Sequence, residues 1–454
     1  MHIFKKTVAF ICVVASMVSM SACEGVFTTD TENFYDYWKE KYVVQDKYAD
    51  DEQYYVWYSD TPYSDDNTGV EVTVSEAHGY GMLITASMET NRDIFDGMYR
   101  YYRAHLSEIG PNLMAWQQED NGTAIVNTSG ADSATDGDMD IAYALLIADK
   151  VWGSDGDINY RQSAIDIIND IMEYEVNKTD WTLQLGDWAS ETDENDVEYS
   201  ATRASDFIVQ YMPAFAKVTG DDRWMNVYNS TYDIINSIVD EYNTGILPDF
   251  LIKDSETGKF VPSPPDFLES EHDGEYYYNS CRTPWRIGMD YLINGNEDAK
   301  KFADTITSFI VESTNGDPSE IKAGYTLDGT PIEDYDDLCF IAPFMISAKC
   351  GDNTEWHDAL RETVLNYGDD VYFGDTIKML CLMVDDGGWY VWPYIKGDVN
   401  SDGEFDKSDV IAMCDYLLGN DELKNWEAGD INEDGVLDVF DLCLMQKMLY
   451  YIDN

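Results

Sequence analysis

Apolar residues return at intervals of three and four along much of this chain, the period of a helix with one buried face. Clear windows are Phe34, Tyr37 and Trp38, continued by the alkyl stem of Lys41; Ile141, Leu145, Ile147 and Val151; and Ala164, Ile167, Ile168 and Ile171. Two more are Phe207, Tyr211 and Phe215, and then Tyr228, Tyr232, Ile235 and Ile238. Breakers fall between them at Gly156-Asp157, Gly220-Asp221, Asn294-Gly295 and Gly351-Asp352. Strand-like alternation is scarce. The pattern predicts one large all-α domain over residues 30–388. Twelve helices over about 355 residues would allow about 30 residues per helix and loop, which suits an α/α toroid.

Residues 1–22 read differently. Lys5 and Lys6 precede an apolar run from Thr7 to Met20 and then Ser21-Ala22, which predicts a cleaved signal peptide and secretion. Cys23 follows directly, so a lipoprotein anchor is the competing reading. The apolar run is too short for a stable membrane span, and no other stretch approaches one. The net charge is −60, so phosphate backbones and anionic membranes are repelled and nucleic acid is excluded as a partner. A neutral polysaccharide meets no such repulsion, and cationic chitosan would gain from the field. The cysteines form no CxxC pair and the five His are scattered, so neither suggests a metal site. Tyr and Trp are abundant, 33 and 12, enough for both a core and a cleft that stacks sugar rings.

Near the C-terminus one pattern occurs twice. DVNSDGEFDKSD (398–409) and DINEDGVLDVFD (430–441) carry oxygen donors at loop positions 1, 3, 5, 9 and 12. These are Asp398, Asn400, Asp402, Asp406 and Asp409, then Asp430, Asn432, Asp434, Asp438 and Asp441. Gly403 and Gly435 stand where the chain must turn around an ion, and Phe405 and Leu437 supply an apolar anchor at position 8. The spacing predicts two structural Ca²⁺ sites, each followed by an apolar segment. Position 12 is Asp rather than the usual Glu. In this the segment 397–454 resembles the type I dockerin, a duplicated loop–helix module. The resemblance implies a cohesin domain of a scaffoldin as partner, a cell-surface cellulosome as location, and plant cell-wall polysaccharide as substrate.

Three segments carry candidate chemistry. VSEAHGYGM (74–82) sets Glu76 before a predicted Gly-Tyr-Gly turn at a helix start; a surface or capping acid is the plainer role. SATDGDMDIAYALL (133–146) sets Asp136 and Asp138 ahead of an apolar helix, where N-capping would suffice. YYYNSCRTPWRIGMDY (276–291) gathers aromatics, two Arg and a Pro, as a sugar-binding wall or a packed core helix would. Together with LMAW at Trp116, GDW at Trp188, RASD (203–206) and LPDF (247–250), they resemble glycoside hydrolase family 8 over residues 34–385.

That resemblance implies an (α/α)6 barrel with an open cleft and endo-acting, inverting hydrolysis of β-1,4-linked glycans. It assigns Glu76 as general acid and Asp136 as the residue that holds the distorted sugar. It makes Trp116 and Trp188 sugar contacts and places Arg282 near the base; Tyr278, Asn279 and Arg282 of the aromatic segment are the further candidates for substrate binding. It implies no cofactor for the chemistry. One position departs. Most of the family has an Asp base where this chain has Asn279, and an amide cannot take a proton from water. A subgroup with chitosanases and lichenases has Asn there and a Glu about ten residues earlier, which points to Glu269. Glu271, Asp273 and Asp266 in the same loop are the alternatives. The expectation is a secreted inverting endo-β-glucanase acting on β-1,4 or mixed-linkage glucan. Xylanase and chitosanase activity stay open within the family, and a glycan-binding protein that has lost its base is the rival of a different class.

Overall fold

The computed structural model describes residues 27–452 apart from 59–69, 89–90, 129–130, 194–195, 369–370, 390–396, 401–404, 421–422, 424–425 and 433–435. The predicted leader, Cys23, Asp402, Gly403, Asp434, Gly435 and the link at 390–396 lie outside the described residues.

Among the described residues, twelve α-helices occupy the large module: α1 (Thr29–Tyr42), α2 (Ser75–Ser87), α3 (Arg92–Ala104), α4 (Thr135–Trp152), α5 (Tyr160–Asp170) and α6 (Met212–Thr219), then α7 (Arg223–Tyr242), α8 (Thr283–Asn294), α9 (Glu297–Ser313), α10 (Leu338–Lys349), α11 (Thr354–Asn366) and α12 (Tyr372–Asp385). Their burial alternates. The odd-numbered helices bury one face only: α1 buries Tyr35, Trp38 and Tyr42, and α11 buries Trp356, Leu360 and Val364. Helices α2, α4, α8, α10 and α12 are buried nearly all round. A helix apolar on every side must be inside, and an amphipathic one must cover it. The result is an inner ring wrapped by an outer ring. Helix α2 packs on α4, α8 on α10, α10 on α12, and α12 returns to α2. This is the all-α, (α/α)6 architecture.

Ten short strands decorate one end of the ring: β1 (Val43–Gln45), β2 (Tyr54–Val56), β3 (Val70–Val74), β4 (Gln117–Asp120), β5 (Ile125–Asn127), β6 (Val176–Asn177), β7 (Thr182–Leu183), β8 (Thr202–Arg203), β9 (Phe250–Lys253) and β10 (Phe260–Pro262). Two antiparallel sheets matter for the site. Sheet β3-β4-β5 runs directly into α2, and sheet β10-β9-β8 flanks α4.

Two expected elements differ. Phe207, Tyr211 and Phe215 do not share one helix. Residues Ala204–Asp206 and Val209–Tyr211 form 3-10 turns, and α6 starts only at Met212 with Pro213 in its first turn. Proline has no N–H to continue a helix from upstream but fits a first turn well. The Gly-Tyr-Gly segment is not a turn but the interior of α2. A Cβ on Gly79 would lie 2.7 Å from Asp140 Cβ, and one on Gly137 would lie 2.7 Å from the carbonyl carbon of Ser75. The glycines let α2 and α4 approach until backbones touch, at a helix-propensity cost of about 1 kcal/mol each relative to Ala.

A second, small apolar cluster gathers Val399, Met413, Ala428 and Met445, with Phe405 and Leu437 packed on it. It joins α13 (Lys407–Leu417), α14 (Trp426–Gly429) and α15 (Val439–Ile452). Among the described residues, no helix is long and apolar enough to cross a membrane.

Candidate active site

The inner helices begin at one end of the barrel, and their N-termini carry the charged residues. Strand β3 ends at Val74, which pairs with Gln117 on β4, and Ser75 N–H donates to Trp116 O at 2.8 Å. This sets Trp116, 38% exposed, beside the first turn of α2 and Glu76. The Gly79–Gly137 crossing brings the first turn of α4, with Asp136, against that of α2. From α8's entrance, Arg282 reaches into the gap. Its Nη1 donates to Glu76 Oε2 at 2.5 Å, to Asp136 Oδ2 at 3.1 Å and to Tyr80 Oη at 3.0 Å. Its Nη2 donates to Asn279 Oδ1 at 3.1 Å. Arg282 therefore spans the site: it grips the expected acid directly and touches the Asn279 position with its other nitrogen.

A second cation closes the far side. Arg203 on β8 donates to Asp136 Oδ1 at 3.2 Å and to Asp206 Oδ1 at 3.1 Å, and its Nη1 lies 3.9 Å from Glu269 Oε1. Glu269 Oε2 accepts from Asn279 Nδ2 at 2.8 Å. A line of contacts thus runs from Glu76 through Arg282 and Asn279 to Glu269, with a guanidinium and an amide holding the two carboxyls apart.

The other acids of the 266–275 loop sit differently. Asp273 is buried and accepts the backbone N–H groups of Leu268 (2.6 Å), Glu269 (3.0 Å) and Ser270 (2.8 Å), so it shapes the loop from within. Glu271 is exposed, and Asp266 is exposed with φ of 55°. Among the described acids of this loop, it is Glu269 that contacts Asn279 and Arg203.

Four carboxyl groups (Glu76, Asp136, Asp206, Glu269) face two guanidinium groups, so the cations cannot neutralise them all. Burial pushes the Glu76 carboxyl up from its ordinary range; Arg282 opposes this and Asp136 adds to it. Burial also opposes ionisation of Asp136, but Arg203 and Arg282 together hold it below the usual carboxylate range. The two neighbours are thus driven apart, one toward the acid form and one toward the anion. Beneath the site, Arg286 pairs with Asp140 in full burial and Tyr211 donates to Asp140 at 2.9 Å. The two Arg of the 276–291 segment therefore divide between cleft and core.

Of the remaining predicted contacts, Trp188 follows Gly186 on the 3-10 turn Asp187–Glu191 and is half-buried against Leu185, Phe250 and Phe267. Tyr278 is half-buried and donates to Asp337 at 3.1 Å. Sequence reasoning gave no role to Arg203, Asp249, Tyr80 or Tyr372. Tyr372, at the start of α12, lies 3.5 Å from Glu76 Oε1. Arg203 and Asp249 lie in the segments RASD and LPDF, and their place in those family-like segments was the available signal.

The small module shows how a hard cation would be held. Asp409 and Asp441, at position 12 of each loop, are fully buried. Asp409 accepts N–H from Asn400 at 3.2 Å and from Asp406 at 2.9 Å. Asp441 accepts from Ile431 (3.0 Å), Asn432 (3.3 Å) and Asp438 (3.0 Å). Each loop is wrapped around a buried carboxylate beside a second buried one, Asp398 or Asp430. A pair of buried carboxylates in each loop, with further oxygen donors at its solvent-facing rim, fits Ca²⁺.

The sequence matches the family model for Glycosyl hydrolases family 8 over residues 8–387 and that for the Dockerin type I domain over residues 396–450. It is 44% identical to a Beta-glucanase of Niallia circulans, over 79% of this chain and 84% of that protein. It is 37% identical to an Endoglucanase of Bacillus sp. strain KSM-330, over 79% and 76%. Among solved structures, the apo Beta-1,3-1,4-glucanase from Paenibacillus sp. X4 superposes with a TM-score of 0.73 at 43% identity, covering 80% of this chain and 92% of that one.

Proposed function

The chain belongs to glycosyl hydrolase family 8 and carries a type I dockerin, and from that premise we propose that it is an inverting endo-β-glucanase of a cellulosome, acting on mixed-linkage β-1,3-1,4-glucan. Residues 1–22 serve as a secretion leader, 30–388 as the hydrolase and 397–454 as the cohesin-binding module. Glu76 protonates the glycosidic oxygen as the bond breaks. Glu269 takes a proton from the water that attacks the anomeric carbon from the opposite face. Asp136, kept anionic by Arg203 and Arg282, accepts hydroxyl hydrogens of the distorted sugar between them. Trp116, Trp188 and Tyr278 offer ring faces along the cleft.

One observation carries this reading. Glu76 and Glu269 stand at opposite ends of the Arg282–Asn279 bridge, one raised by burial and the other half-exposed at a side-chain exposure of 48%. The names of the similar proteins support the substrate choice. When bound, Ca²⁺ supplies structural neutralisation of the dockerin carboxylates; the hydrolase residues need no ion for the proton transfers. Release of reducing sugar from lichenan, carboxymethylcellulose, xylan and chitosan tests the proposal. Lichenan should be cleaved fastest. Faster cleavage of xylan or chitosan would overturn the substrate, and no cleavage of any would favour the glycan-binding alternative.

A further inference from the structure

We propose that Asn279 is a positioning donor for the base: its amide, locked by Asp249 and Arg282, holds the Glu269 carboxylate turned toward the cleft. The proposal rests on the reading of Glu269 as the base.

The amide orientation follows from its neighbours. Arg282 has only donors, so the Asn279 atom 3.1 Å from Nη2 must be the carbonyl oxygen. The nitrogen then faces two carboxylates, Asp249 Oδ2 at 3.4 Å and Glu269 Oε2 at 2.8 Å. With oxygen and nitrogen exchanged, the oxygen would meet two acceptors and the nitrogen a cation. The donor to Glu269 is therefore fixed by chemistry.

Asp249 is itself immobile. It is buried, and burial pushes its carboxyl up to about 6 against the pull of the Ser280 hydroxyl and neighbouring N–H groups. Oδ1 accepts from Tyr277 N–H (2.9 Å), Ser280 N–H (2.7 Å) and the Ser280 hydroxyl (2.6 Å), and Oδ2 accepts Asn279 N–H at 3.0 Å. It staples the turn that precedes α8. Glu269 needs such a hold because it stands on a loop and is half-exposed, and an unheld Glu side chain samples many rotamers. The loop is capped by Asp273.

The groups facing Glu269 are the Asn279 amide and Arg203. Behind them stand Asp249, Asp136, Asp206, Arg282 and Glu76. One presents an N–H at 2.8 Å and the other a guanidinium nitrogen at 3.9 Å to the Glu269 carboxyl. A carboxylate at position 279 would place two like charges 2.8 Å apart, and the pair would retain a proton. An amide there is what a loop-borne base requires. In the reaction, water oxygen bonds to the anomeric carbon, its proton passes to Glu269, and the Glu76 proton passes to the departing oxygen.

The test is a set of kcat and kcat/KM pH profiles on soluble mixed-linkage glucan, with folding checked by circular dichroism and melting. Glu269→Ala should lose about 10²-fold or more. Asn279→Ala should lose about tenfold in kcat, with KM within about twofold. Asn279→Asp should move the acid limb of kcat/KM toward neutral pH. An active Glu269→Ala overturns the base assignment and the proposal with it. An inactive Glu269→Ala alongside an unmoved acid limb in Asn279→Asp, or unchanged kcat in Asn279→Ala, overturns the positioning role alone.

Discussion

At the crossing of α2 and α4 the two helices approach until backbone meets backbone, and Gly137→Ala perturbs that contact alone. The added Cβ would lie 2.4 Å from Ser75 Oγ, 2.7 Å from Ser75 Cβ and 2.7 Å from the Ser75 carbonyl carbon. The hydroxyl can rotate away; the carbonyl carbon cannot. That is about 0.7 Å inside ordinary contact, so the helices must part by several tenths of an ångström. Overpacking of this kind costs about 1–3 kcal/mol, offset by about 1 kcal/mol of helix propensity. The net loss of stability is about 0–2 kcal/mol. Activity should suffer more, because Glu76 follows Ser75 directly and a displacement near 1 Å costs about 10²-fold in rate. Gly288→Ala is the matched control. It lies on the inner helix α8, and the nearest atom to its added Cβ is Cys350 Sγ at 3.4 Å, with no overlap. It should keep full turnover and gain up to about 1 kcal/mol. The assay is kcat on soluble β-glucan with melting temperature for both variants. Wild-type turnover in Gly137→Ala, or equal loss in Gly288→Ala, would refute the argument that this close approach sets the acid's position.

Glu76→Gln should lose about 10²–10⁴-fold in kcat with its melting temperature preserved, measured as reducing-sugar release. Asp136→Asn removes a negative neighbour that raises Glu76, so the alkaline limb of the pH–rate profile, where the acid loses its proton, should move to lower pH. The buried pair Asp138 and Glu175 has both carboxyls raised well above the usual range, by burial and, for Asp138, next by the charge of Glu175. Their contribution to stability is full below about pH 4 and is lost as pH rises through the folded values; Glu175→Gln should therefore gain melting temperature relative to wild type as pH increases, and a constant difference would count against it. Chelation of Ca²⁺ should abolish cohesin binding and unfold the small module while leaving hydrolysis of soluble glucan unchanged. Lys407-Ser408 and Val439-Phe440 occupy positions 10 and 11 of the two loops, so exchanging the pairs should affect cohesin affinity unequally.

The helical fold was legible wherever apolar spacing and helix length agreed, as in α1, α4, α5 and α7. It misled at Phe207, Tyr211 and Phe215, where the spacing of four is met by successive 3-10 turns and Pro213 delays the helix. It misled again at Gly79 and Gly81, where local propensity suggested a turn and contact with α4, Val56 and Met98 imposed a helix. Glu76 and Asp136 could be picked out as candidates because each stands in a distinctive segment. Residue type alone does not separate Asp266, Glu269, Glu271 and Asp273; the family resemblance, through its ten-residue spacing from Asn279, favoured Glu269. What separates them is tertiary: Asp273 is consumed by three backbone N–H groups, while Glu269 meets Asn279 and Arg203. Arg203 joins Asp136 and Glu269 from two distant segments, and no local pattern reports that.

The pairing of a buried acid with a half-exposed base across the Arg282–Asn279 bridge is the central claim, and stereochemistry reads it most directly. Proton NMR of lichenan during the first minutes of hydrolysis resolves the anomer released before mutarotation. Water activated by Glu269 opposite Glu76 predicts that the α-anomer of the new reducing ends appears first. Initial release of the β-anomer would mean retention through a covalent intermediate and would contradict this assignment of the two carboxyls.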